Sequence, residues 1–139
     1  MNEATIRHLE LVQGVINRMA QVSFILKGWT VTVVVALLAV VANNADWYLM
    51  LLGLVPVLVF WGLDAYYLRQ ERLFRSLYDK IRLDSTESPI PLFSMDASIA
   101  KANVAGWWGT LFTPTLLGLY GILSIIIIVA AVLFRVVGN

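Results

Sequence analysis

Three stretches of this chain stay apolar for about as long as a helix needs to cross a bilayer, roughly 20 residues with a range of 17 to 25. The first runs from Val22 to Ala42 and is interrupted only by Lys27, whose four-carbon stem can carry its ammonium to the headgroups. The second, Trp47 to Leu63, has 17 uncharged residues, about 26 Å at 1.5 Å per residue. The third is free of charge from Ala102 to Phe134, longer than one crossing requires, so its span is expected at about residues 111–134, with Trp107 and Trp108 at the interface. Composition agrees: 60% of the 139 residues are hydrophobic and 14% charged, which excludes an ordinary soluble globule. The expectation is an all-α integral membrane protein, one membrane domain over residues 1–139, with transmembrane helices at about 22–42, 47–63 and 111–134. With no Cys there is no thiolate nucleophile or disulfide frame.

Lys and Arg are divided unevenly between the flanks, and cytoplasmic loops carry the excess. Arg7, Arg18 and Lys27 lie at or before the first span, Arg69, Arg72, Arg75, Lys80, Arg82 and Lys101 lie between the second and third, and only Arg135 is left for the far side. The N-terminus is therefore expected inside, the Asn43 to Asp46 link outside, residues 1–21 and 64–106 in the cytoplasm, and the C-terminus outside. Trp29 and Trp61 fall at the inner boundary, and Trp47 with Tyr48 at the outer one. The small residues Ala42 to Ala45 can pass for a signal-peptidase site. The acidic, amphipathic segment before them is unlike a short basic leader, and a retained anchor is expected.

Ahead of the first span, Ile6, Leu9, Val12, Ile16 and Met19 recur at helical spacing; below the second, Tyr67, Gln70, Phe74, Leu77 and Ile81 make a mostly apolar stripe. Both spans are expected to continue inward as helices that pack antiparallel in a cytoplasmic stalk. Lying flat on lipid is the competing arrangement for the first extension. Asp84 to Asp96 reads as a loop, with Ser94 or Asp96 capping the helix that carries Lys101, and with Ile90, Leu92 and Phe93 docked on the stalk or the lipid surface.

No enzymatic motif, metal-spaced cluster or cofactor box is present, so neither a catalytic residue nor a cofactor is expected. The lone His8 reads as an exposed helix residue. Lys27 and Asp64 flank the inner boundary on neighbouring helices and are expected to pair, either structurally or as a gate. Arg69, Arg72 and Arg75 form an i, i+3, i+6 row, with Lys80 and Arg82 below. Guanidinium groups fork onto phosphates and Tyr66, Tyr67 and Tyr78 can stack on bases, a pattern that fits single-stranded nucleic acid. Against this, Glu71 and Asp79 lie four residues either side of Arg75, so helix pairing accounts for much of the row. In the third span Thr110, Thr113, Pro114, Gly118, Gly121 and Ser124 share a face that permits close helix packing or lines a narrow pore, and Pro56 and Pro114 can each kink their helix.

The stretch Phe60 to Arg82, FWGLDAYYLRQERLFRSLYDKIR, resembles the transmembrane effectors of nucleotidyltransferase-linked anti-phage defence, in particular the Hailong type. The resemblance covers these 23 residues specifically and the rest by size and hydropathy. It implies a tetrameric channel in the bacterial cytoplasmic membrane, held closed by single-stranded DNA oligomers, with the nucleotidyltransferase of the same operon as partner. It also implies the row Arg69, Arg72 and Arg75 as the place of DNA control, to which the residue pattern adds Lys80 and Tyr67 as candidate ligand-binding residues. Two functions follow for testing: a homo-oligomeric ligand-gated channel that depolarises its host, or a non-conducting accessory subunit that binds a partner protein through its cytoplasmic helices. A membrane-sensing regulator is a third.

Overall fold

A computed structural model describes residues 2–44, 46–83 and 90–138, so residues 84–89 of the loop expected from Asp84 to Asp96 lie outside the described residues. Among these residues the structure is helical throughout, without strands. Helix α1 covers Glu3–Ala42, α2 the helical run Trp47–Leu83, α3 the short Trp107–Leu111 and α4 Pro114–Val137, with a 3₁₀ segment at Ala97–Asn103. Helices α1, α2 and α4 are each long and apolar enough to cross a membrane. As expected, α1 runs unbroken for 40 residues, about 60 Å, through both Gly14 and Gly28.

The prolines act differently from the expectation of kinks. Pro114 opens α4 at its first turn, where its missing N–H costs no hydrogen bond, and it holds the preceding Thr113 extended at φ −67° and ψ 148°. The long apolar helix of the third stretch therefore runs Pro114–Val137, and Leu111 belongs to the short helix before it. In α2 the tight turn Leu51–Gly53 comes just before Pro56, absorbing the bond that Pro56 cannot make. Within α4, residues Leu117–Gly121 form a wide π turn that no sequence signal announced.

The chain divides into two compact units. The first comprises Met1–Ser23 and Tyr66–Thr110. Its core joins Leu9, Val12 and Ile16 of α1 to Leu77 and Ile81 of α2, with Phe74, Tyr78 and Ile90 packed around them. The two apolar stripes do bury against each other, although Ile6 stays exposed. Ile90 joins this core, whereas Leu92 and Phe93 are exposed, Phe93 at a left-handed φ of 61°.

Asp96 caps the 3₁₀ segment by accepting from the Ser98 backbone N–H at 3.0 Å. Hydrogen bonds from the Ser98 side chain and backbone hold this carboxyl below its ordinary 3.8. Because the folded value is depressed, the cap is in place above the unfolded value and is lost as pH falls through the folded one. The Ser98 amide resonance is accordingly expected to titrate with a midpoint beneath 3.8; a midpoint at or above it would remove the cap from this account.

The second unit comprises Phe24–Ala65 and Leu111–Asn139. Val41, Met50 and Ala131 form one of its buried clusters, with Leu37, Leu49 and Phe134 around it. Lys27 meets Asp64 at one end of the α1–α2 pair and Val41 meets Met50 at the other, as an antiparallel hairpin demands. Gly53 packs tightly against both neighbours, since a Cβ there would sit 3.3 Å from Ile127 Cδ1 and 3.5 Å from Leu37 Cδ2.

Candidate functional site: a buried polar cluster joining three apolar helices

A carboxylate moved out of water is tolerated only where charge and hydrogen bonds compensate it. Asp64 is fully buried on α2, and two side chains converge on its Oδ2. Lys27 Nζ of α1 donates at 2.5 Å, and the Tyr120 hydroxyl of α4 donates at 2.9 Å. Lys27 keeps about a quarter of its side chain exposed, whereas the Asp64 side chain is fully buried. The Tyr120 ring is itself fully buried and lies parallel to Trp61, with centroids 6.1 Å apart and an interplanar angle of 4°. Trp61 is fixed in turn by donating its indole N–H to the Leu111 carbonyl at 2.9 Å. Thr30, buried beside the phenol, returns its hydroxyl to the Leu26 carbonyl.

The expected Lys27–Asp64 pair is therefore present, and its third member escaped sequence reasoning. Tyr120 is the one phenol in a long aliphatic segment, and a phenol buried there needs an acceptor. That need was the available signal, but only the fold names Asp64 as the acceptor.

The basic row is brought together only in part. Arg69 Nε donates to the Ala105 carbonyl at 3.3 Å and Lys80 Nζ to the Ile99 carbonyl at 2.8 Å, so these two cations pin the segment around the 3₁₀ turn against α2. Arg75 is paired with Glu71 at 2.7 Å and Arg82 with Asp79 at 3.5 Å. Arg72 is half-buried and makes no ion pair among the described residues. Tyr67 is half-buried with its ring edge-on to Tyr66. Four of the five candidate cations thus have intramolecular roles, the helix pairing weighed above being realised for Arg75 and Arg82.

The hydroxyl and glycine residues of the third stretch are divided between the two units. Thr110 is buried in the first unit and bonds the Gly106 carbonyl, whereas Thr113, Gly118, Gly121 and Ser124 belong to the second. Ser124 Oγ donates to the Tyr120 carbonyl at 2.8 Å. Gly118 and Gly121 have open space where a Cβ would point, so the close packing expected of them is supplied within the chain by Gly53 instead.

His8 corrects another expectation. It is buried, its Nε2 donates to the Ser94 carbonyl at 2.7 Å, and its ring lies 5.9 Å from that of Phe93. Its separation of 86 residues from Ser94 explains why no local pattern revealed it.

No family model matches this chain, and neither does any curated protein or solved structure.

Proposed function

We propose that this protein is the subunit of a homo-oligomeric, ligand-gated ion channel of the bacterial cytoplasmic membrane, with its N-terminus and helical stalk in the cytoplasm and its C-terminus outside. The carrying observation is the Asp64 carboxylate, fully buried and held by Lys27 and Tyr120, because ionisable groups inside apolar helix bundles mark ion paths and gates. The cluster binds one residue from each of the three candidate spans, so a change at any helix is felt by the other two. Three helices enclose no wide path, and the conducting form is an assembly of several chains. The resemblance at residues 60–82 supports an effector of anti-phage defence, controlled by single-stranded DNA oligomers at Arg69, Arg72 and neighbouring cations, with a nucleotidyltransferase as partner.

In proteoliposomes the purified chain is expected to pass monovalent cations or anions, and an oligonucleotide is expected to change the flux. Asp64→Asn is expected to alter the resting leak, and expression in cells to depolarise them. Sealed liposomes together with unperturbed cells would sink the reading. The pinning of Arg69 and Lys80 favours the second reading, a non-conducting accessory subunit whose helices bind a partner protein. On that reading charge reversal at Arg72 and Arg75 loses the partner in a pull-down and leaves membrane potential untouched.

A further inference from the structure

A π turn accommodates one residue more than the α-helix around it, so regularising it turns the following helix by about 100° and slides it about 1.5 Å. In α4 the wide turn Leu117–Gly121 separates the first turn, Pro114–Leu116, from Ile122–Val137. The residues that Ile122–Val137 presents to its neighbours are Ile127 against Gly53, then Ala131 and Phe134 in the cluster with Val41 and Met50, with Ala130 packed at its edge. Loss of the extra residue would bring each preceding residue to the same place. Those residues are Ile126, Ala130 and Leu133, now exposed, half-buried and exposed. The run Ile125 to Ile128, the pair Ala130–Ala131 and the pair Leu133–Phe134 make the exchange isoleucine for isoleucine, alanine for alanine and one large apolar side chain for another. Such volume-conserving exchanges cost little, so the sequence supports two registers of nearly equal packing.

The observed register is distinguished at Tyr120, which lies inside the wide turn and donates to Asp64. Regularising the helix turns Tyr120 about the axis and withdraws its hydroxyl, so the bond and the wide turn stand or fall together. Gly118 and Gly121 bound the turn with open space at their Cβ positions, leaving the backbone free to change pitch without a side-chain clash. We propose that α4 is a two-register element hinged at Leu117–Gly121, in which the Tyr120–Asp64 bond is the catch that holds the wide-turn register. This rests on the proposed gating role of the cluster and specifies its moving part: releasing the catch rotates the apolar face of one span.

Because the chain has no Cys, introduced pairs report the register cleanly. In proteoliposomes of the full chain, Met50→Cys with Phe134→Cys reads the wide-turn register, and Met50→Cys with Leu133→Cys, whose native side chain is exposed, reads the other. Tyr120→Phe is expected to raise the ratio of the second cross-link to the first about tenfold, as loss of a hydrogen bond to a carboxylate would. Adding Ile126→Ser, which taxes only the second register, is expected to reverse that rise. Should Tyr120→Phe fold poorly, Ile127→Ala leaves the catch intact, weakens only the first register and is expected to shift the ratio the same way. An unchanged ratio in both Tyr120→Phe and Ile127→Ala overturns the hinge. The cross-links do not depend on conduction, so shifted cross-links in sealed liposomes would sink the channel and leave the hinge standing, and unshifted cross-links in conducting liposomes would do the reverse.

Discussion

Replacing Lys27 by Met is expected to destabilise the second unit by about 3–5 kcal/mol, the loss typical when one partner of a buried ion pair is removed and the other stays buried. The asymmetry of exposure sets the direction. Lys27 keeps a quarter of its side chain exposed, whereas Asp64 is fully buried and would lose the charge of the Lys27 ammonium while still accepting from the Tyr120 hydroxyl. Removing the carboxylate as well, in Lys27→Met with Asp64→Leu, is expected to recover most of the loss but to leave the Tyr120 hydroxyl without its acceptor. That residual cost, about 1–3 kcal/mol for a buried unsatisfied group, should disappear when Tyr120→Phe is added. Reversible unfolding in detergent micelles measures the series. If Lys27→Met costs less than about 1 kcal/mol, the ion pair does not hold the cluster together.

What the sequence disclosed of this cluster follows from how far each interaction reaches. Lys27 and Asp64 were visible because each stands alone at the end of an uncharged stretch, and two such stretches joined by a short link must lie side by side. Tyr120 and His8 were invisible as partners because their bonds span 56 and 86 residues and depend on register between helices. The apolar stripes of α1 and α2 were legible from periodicity alone, since burial follows the helical repeat. The wide turn in α4 was not, because the run of Ile residues that makes the two registers equivalent also erases the periodicity that would distinguish them. Pro114 misled for a local reason: proline either kinks or starts a helix, and the extended Thr113 that decides between them is a property of the backbone. The basic row misled in the opposite way. Its spacing is real, but Arg69 and Lys80 spend their donors on backbone carbonyls of a segment more than 15 residues away in sequence.

The second large effect is expected in the first unit, where Leu77→Ala should cost about 2–5 kcal/mol by losing buried methyl groups and leaving a cavity. Leu77 is fully buried between Leu9, Val12 and Ile16 of α1 and Ile81 of its own helix. Among the described residues the site is lined mainly by helix side chains such as Phe74 and Tyr78, so collapse around the gap is expected to be limited to small shifts of these helices. Ile6→Ala is the matched control, because Ile6 belongs to the same sequence stripe yet stays exposed and should change stability by less than about 0.5 kcal/mol. Amide exchange of residues 9–16 and 74–81 measures both. The pair of substitutions also separates the two arrangements that the sequence allowed for the first extension. If residues 3–21 of α1 pack on α2, Leu77→Ala loosens the amides of both segments together and Ile6→Ala leaves them alone. Were residues 3–21 instead to lie on lipid, Leu77→Ala would leave the amides of residues 9–16 protected, and Ile6→Ala would weaken their hold on vesicles.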